Sequence, residues 1–183
     1  MYVALFVSRH KDNKEVENFH PRKESRLVEH IKDCSADFHK FVEQGVLGET
    51  SRFYISVSER DMNKTRIELG CRLIKEPVNL TNLNPLVIST AMLPQHEIDK
   101  KWLFDFDCPD KTLANKFLMA VRNMDVTADI YDTPNGSAIV AEHGFNTRIM
   151  LPAWNEYLKS INPEYGIELK RNAMLVVNWD TKW

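Results

Sequence analysis

The run Tyr2 to Val7 is apolar, β-branched and aromatic, and Ser8-Arg9-His10-Lys11 closes it, which predicts a buried strand. Residues 8 to 23 are polar and read as a long connection. From 24 to 44, Leu27, Ile31, Cys34, Phe38, Phe41 and Val42 recur at steps of three and four, predicting one amphipathic helix that Gly45 and Gly48 end. Arg52 to Ser58 alternates like a strand. Asp61 is placed to cap a helix reaching about Ile74, with Ile67, Cys71 and Ile74 on one side, and Glu76-Pro77 stops it. Residues 77 to 100 contain Pro77, Pro85 and Pro94 around one short apolar run, Leu86-Val87-Ile88, and read as a connector between two halves of the core.

From Trp102 the pattern becomes regular. Trp102–Asp107 is a strand, and Asp110 caps a helix over 111–124 with Leu113, Phe117, Leu118 and Val121 inward. A strand covers about 126–132, Asp132-Thr133-Pro134-Asn135-Gly136 is a turn, and Ser137–Glu142 returns. Asn146 caps a helix over about 147–161, which Asn162-Pro163 breaks. Ala173–Trp179 is the last strand. Residues 102–180 therefore read β-α-β-β-α-β, the ferredoxin-like or RNA-recognition-motif-like (RRM-like) order. The expected fold is α/β (α+β). An N-terminal α/β unit with its connector, 1–100, packs on an RRM-like palm, 101–183, as one compact domain.

Composition narrows the class. Of 183 residues, 43% are hydrophobic and 27% charged, as in ordinary soluble proteins. No apolar run approaches the roughly 20 residues that span a bilayer, and the N-terminus does not read as a signal peptide, so the expectation is a cytoplasmic protein with no membrane partner. Cys34, Cys71 and Cys108 are odd in number and widely spaced, which suggests reduced thiols in place of a disulfide framework or zinc site. The formal net charge of −2 argues against a strongly basic nucleic-acid protein, so polyanion contact needs a local patch or a metal. The Arg9–Lys23 segment is such a patch or a solvated loop. Arg52 and Arg60, flanking Phe53-Tyr54, could bind a nucleic-acid strand by stacking and phosphate contact. Core packing by Phe53 is the competing explanation.

The sharpest chemistry is Phe104-Asp105-Phe106-Asp107. On a strand Asp105 and Asp107 share one face, with Phe104 and Phe106 on the other. Paired carboxylates repel, and a hard cation such as Mg²⁺ or Mn²⁺ relieves the repulsion. The competing reading is a strand that ends in a solvated Asp-Cys-Pro-Asp turn.

These residues, in this order, resemble the archaeo-eukaryotic primase and primase-polymerase superfamily, over roughly residues 50–180. Phe104-Asp105-Phe106-Asp107 matches its hydrophobic-Asp-hydrophobic-Asp motif, and Trp179-Asp180 its hydrophobic-Asp motif. Asp132–Gly136 resembles the glycine turn before the small-x-His motif in phage-type relatives. That motif departs from the pattern: a histidine is expected near Ala138, and the literal match is Ala141-Glu142-His143. The resemblance implies metal-dependent nucleotidyl transfer onto a 3′-hydroxyl of DNA or RNA from a nucleoside triphosphate. Asp105, Asp107 and Asp180 would hold Mg²⁺ or Mn²⁺, with Asp105, Asp107 and His143 catalytic and His143, Arg148, Asn135 and Gly136 on phosphate. A loop position for His143 and a solvated tail for Asp180 are the competing readings. One alternative function is a catalytically inactive, phage-type nucleic-acid or nucleotide-binding accessory protein on the same fold, with a possible protein partner in replication. Another is a metal-dependent nuclease or phosphohydrolase.

Overall fold

The computed structural model describes residues 1–75 and 79–183, so the predicted stop at Glu76-Pro77 lies outside the described residues. Among these residues the chain is a mixed α+β structure with two antiparallel four-stranded sheets and five α-helices. No helix among them is long and apolar enough to cross a membrane. Contacts divide the chain into one unit of residues 1–98 plus 176–183 and a second of residues 99–175.

The first unit opens with β1 (Tyr2–Ser8), the predicted buried strand. Its partner β2 (Arg22–Val28) runs antiparallel to it over the full register, Tyr2↔Val28 to Ser8↔Arg22. This corrects the single helix expected over 24–44. A 3-10 turn at Ile31–Cys34 follows β2, and only Ser35–Glu43 is α-helical (α1). The steps of three and four were real over Phe38, Phe41 and Val42, which α1 buries. Leu27 fell into the same spacing by coincidence, while the backbone of β1 supplied a ladder for Arg22–Val28. The mostly polar, largely half-buried side chains of β2 suit its place at the sheet edge.

β3 (Thr50–Ser56) completes the centre of the sheet, and Phe6 packs edge-on against Phe53, ring centroids 5.0 Å apart, with Phe38 and Phe41 beside it. α2 (Met62–Lys75) follows the predicted cap: Asp61 accepts from the N–H groups of Asn63 and Lys64, both at 3.0 Å. These backbone bonds, that from Lys64 foremost, hold the Asp61 carboxyl below its ordinary pKa. The 77–100 connector contains a helix, α3 (Leu83–Ala91). Pro85 sits in its first turn, where a missing N–H costs no helical bond.

The end of the chain returns to this unit. β8 (Met174–Thr181) takes the edge beside β3, giving the order β2-β1-β3-β8. Gly48 (φ +81°) donates to Lys182 O at 2.9 Å, and Lys182 N–H donates to Glu49 O at 3.0 Å. Two residues thus oppose one, a bulge whose first residue is a left-handed glycine. Lys182 Nζ also donates to Glu43 O and Gly45 O, at 2.6 and 2.9 Å, and so caps the end of α1.

Glu49, 2% exposed, accepts from the Arg22 guanidinium and from Val46 N–H. Burial alone would raise its pKa, but the bonds from Arg22 and Val46 outweigh it and the net shift is downward. A lowered carboxylate pKa stabilises the fold above the unfolded value, about 4.3, and that stabilisation is lost as pH falls through the folded value. Acid unfolding of Glu49→Gln, followed by circular dichroism, should therefore depend less steeply on pH below about 4 than wild type. Equal slopes would remove Glu49 from the acid response.

In the second unit β4 (Trp102–Asp107), α4 (Lys111–Arg122), β5 (Ala128–Thr133), β6 (Gly136–Ala141), α5 (Met150–Ile161) and β7 (Gly166–Arg171) follow in order. The sheet order is β5-β6-β4-β7, with β4 and β6 central. Asp110 caps α4 as expected, accepting from Thr112 N–H at 2.8 Å. The core lies on the face with Phe104, Phe106, Ile139 and Ile167, covered by Phe117, Val121 and Leu158 of the two helices. The fourth strand of this sheet is β7, where the pattern had placed Ala173–Trp179. That run is instead β8, in the other sheet, where Trp179 is 41% exposed.

Candidate functional site

β4 alternates as its sequence requires. Phe104 and Phe106 are 0% exposed, and Asp105 and Asp107 lie on the opposite face of the strand. In register, Asp105 faces Ala138 of β6 on one side and Glu168 of β7 on the other, while Asp107 faces Gly166. Glu168 and Lys170 share a face of β7, and Lys170 Nζ bonds Asp105 Oδ2 at 2.5 Å and Glu168 Oε2 at 3.1 Å. Burial pulls the Lys170 pKa down, but its bonds to Asp105 and Glu168 dominate and the net shift is upward. A raised lysine pKa contributes stability that is complete below the unfolded value, about 10.4, and is lost only as pH rises through the folded value. The ammonium is therefore charged at neutral pH and sits between the Asp105 and Glu168 carboxylates, offsetting their mutual repulsion.

Gly136 is held by contact. A Cβ there would lie 2.3 Å from Phe106 O and 2.9 Å from Cys108 O, backbone atoms at the end of β4. The turn expected over Asp132–Gly136 is present and tight. Thr133 pairs with Gly136, so Pro134-Asn135 are the central residues, and Gly136, which lacks a positive φ, is the first residue of β6. Its role is to let β6 approach the strand end that carries Asp107. Asn135 is exposed at the tip.

His143 does not join this cluster. β6 runs antiparallel to β4, so Ala141 is opposite Trp102, at the start of β4, and His143 lies beyond it. It is five residues on from Ala138, a reach of up to about 17 Å at about 3.4 Å per residue, and lies past the end of β6. It is exposed, and its Nδ1 contacts the carbonyl of neighbouring Gly144. The adjoining chain is fixed by packing: the Phe145 ring packs tilted against Trp102 and Phe104, and a Cβ on Gly144 would strike the Trp102 ring at 2.3 Å. Arg148 is exposed in the same loop, its N–H donating to Asn146 Oδ1. α5 starts at Met150, not at 147, and Asn146 is no cap of it.

Asp180 lies on β8, in the first unit's sheet, so the last strand of the β4 sheet does not carry it. Lys182 turns its N–H and C=O toward Gly48 and Glu49, so those of Thr181 and Trp179 alternate outward. Asp180 Oδ1 accepts from Thr181 N–H at 2.8 Å and Asn178 Oδ1 from Trp179 N–H at 2.9 Å. Both outward donors are thereby occupied, which blunts an open edge.

Arg52 and Arg60 are not surface groups. Arg52 is 8% exposed and pairs with Asp12 Oδ1 at 2.6 Å, and Asp12 also holds Arg9. Arg60 is 1% exposed and lies 3.8 Å from Glu97. Both arginines are thus buried beside internal acids, and Phe53, 3% exposed, packs in the core, as the competing explanation had it. Sequence spacing could not show this, because the partners Asp12 and Glu97 are distant in the chain.

Among the described residues no group of three or more His, Cys, Asp or Glu side chains is gathered to hold a metal. Lys170 brings a positive charge to the carboxylate where a cation would bind. Lys170 and Glu168 are the residues that the chain pattern missed. Gly166-Ile167-Glu168-Leu169-Lys170-Arg171 alternates apolar and polar positions, and that period of two would have found them. No protein-family model matches the chain, and no curated protein matches it in sequence.

Proposed function

We propose that this chain is a primase-type, RRM-like palm that has given up nucleotidyl transfer and acts as a nucleic-acid or nucleotide-binding accessory protein. The β-α-β-β-α-β succession with the order β5-β6-β4-β7 supports the palm assignment. The carrying observation is the Lys170–Asp105 bond at 2.5 Å, which satisfies within the protein the charge that a catalytic aspartate presents to a cation. Ala138 opposite Asp105 supports the same reading, since a methyl group cannot serve a phosphate.

The test pairs binding with chemistry. A fluorescent single-stranded oligonucleotide is titrated with wild type and Asp105→Asn/Asp107→Asn, in EDTA and in Mn²⁺, and primer extension is assayed in parallel. The expected result is metal-independent binding that the double variant retains within about twofold, with no extension, because the altered carboxylates do not carry the affinity. Wild type that fails to bind sinks the accessory reading. Nucleotide incorporation lost in the variant would establish transferase activity in its place.

A further inference from the structure

We propose that the outward face of α2 is a docking surface for an acidic amphipathic helix of a partner protein. The chain pattern marks Ile67, Cys71 and Ile74 as one side of a helix, spaced as a packing seam. In the fold that seam faces away from the protein. Ile67 is 69% and Ile74 88% exposed, Cys71 is exposed, and Thr65, on the other side, is the buried residue of the helix. Gly70 lies beside the seam, and a Cβ built on it meets nothing within 4 Å, so an incoming helix can approach the backbone closely.

Charge selects the occupant. α2 carries Lys64, Arg66, Arg72 and Lys75 against one acid, Glu68, in a chain whose net charge is −2. Glu68 is already paired with Arg72 at 3.1 Å. Lys64, which pairs with Asp61 at 3.7 Å, and Lys75 are exposed beside the seam, and Arg66 is exposed on the adjoining side of the helix. A second copy would bring basic flanks against basic flanks, which is repulsive. A helix with apolar residues at i, i+3/i+4 and i+7 and glutamates beside them complements both the seam and its flanks. The seam spans about two turns, about 11 Å, which suits a short helix–helix contact. The inference uses no residue of the Asp105 cluster and stands apart from the palm assignment.

The probe is a labelled 14-residue helical peptide with leucines at seam spacing and flanking glutamates, compared with its lysine-flanked twin by fluorescence anisotropy. Saturable binding of the acidic peptide is expected, at least tenfold tighter than the twin and weakened by salt. Ile67→Ser/Ile74→Ser should lose at least tenfold in affinity at an unchanged thermal midpoint, since both side chains are exposed. Cys34 and Cys108 are each 1% exposed, so a thiol reagent reads Cys71, and bound peptide should slow its modification at least tenfold. No saturable binding, equal binding of the twin, or unchanged Cys71 reactivity overturns the proposal. Sedimentation that shows a concentration-dependent dimer lost in the double variant overturns it in favour of a second copy. Co-sedimentation of wild type with phosphatidylcholine vesicles containing one-third phosphatidylglycerol, lost in that variant, overturns it in favour of a membrane surface.

Discussion

Gly136→Ala is expected to destabilise the second unit by about 3 kcal/mol, the upper end of what an added methyl costs in a packed site. The added Cβ would stand 2.3 Å from Phe106 O and 2.9 Å from Cys108 O. Both obstacles are backbone, so no rotamer change relieves the contact. Either the β5–β6 hairpin withdraws or the end of β4 bends, and each moves the strand segment that carries Asp107. Gly70→Ala is the matched control. Its position is interior to α2 with open space around the new methyl, and it should gain about 0.5–1 kcal/mol from helix propensity. Urea unfolding of the two variants beside wild type measures the contrast. If Gly136→Ala unfolds at the wild-type urea concentration, the close approach of β6 to β4 is not real.

Asn13→Leu is expected to cost the first unit about 3 kcal/mol, the sum of a few net hydrogen bonds and the orphaned groups left behind. Asn13 is 2% exposed within the long connection between β1 and β2. Its Nδ2 lies 2.9 Å from Arg9 O, 3.0 Å from Thr50 O and 3.2 Å from Ser8 Oγ, and its Oδ1 accepts from Thr50 N–H at 2.6 Å. One side chain thus ties the connection to the first residue of β3. Leucine has similar volume but neither donates nor accepts, so Thr50 N–H and Arg9 O lose this partner. Asn13→Asp keeps the acceptor for Thr50 N–H and loses the donors, and should fall between the two. Hydrogen exchange at Thr50 N–H is the local readout, and protection in Asn13→Leu equal to wild type would refute the role given to Asn13.

What was legible in the sequence is what short-range physics decides. The alternation of Phe104-Asp105-Phe106-Asp107 was enough to put two rings in the core and two carboxylates on the other face, because successive strand residues must point oppositely. The caps at Asp61 and Asp110 followed from residue type and position, since a cap needs only its own helix's first turn. The strand and helix succession from Trp102 to Ile161 was readable for the same reason. Where two local readings were equally good, pattern failed. Leu27 fits a helix spacing and also an edge strand, and only β1 alongside decides. Ile67, Cys71 and Ile74 fit an inward face, but which side of α2 turns inward depends on what the rest of the fold presents to it.

The candidate site marks the same division. Local sequence sufficed to pair Asp105 with Asp107. It could not reveal that Lys170, distant along the chain, bonds Asp105, because that neighbour exists only once β7 lies in register beside β4. Nor could it reveal that β8 crosses to the other sheet with Asp180, or that Arg52 and Arg60 are spent on Asp12 and Glu97. Charge is neutralised by whatever the fold brings within a few ångströms, and strand order and register choose that partner. The sequence by itself determined which side chains share a strand face and, at Asp61 and Asp110, where a helix begins. The tertiary structure alone decided which charges meet and which apolar face is left uncovered, since both are contacts between segments far apart in the chain.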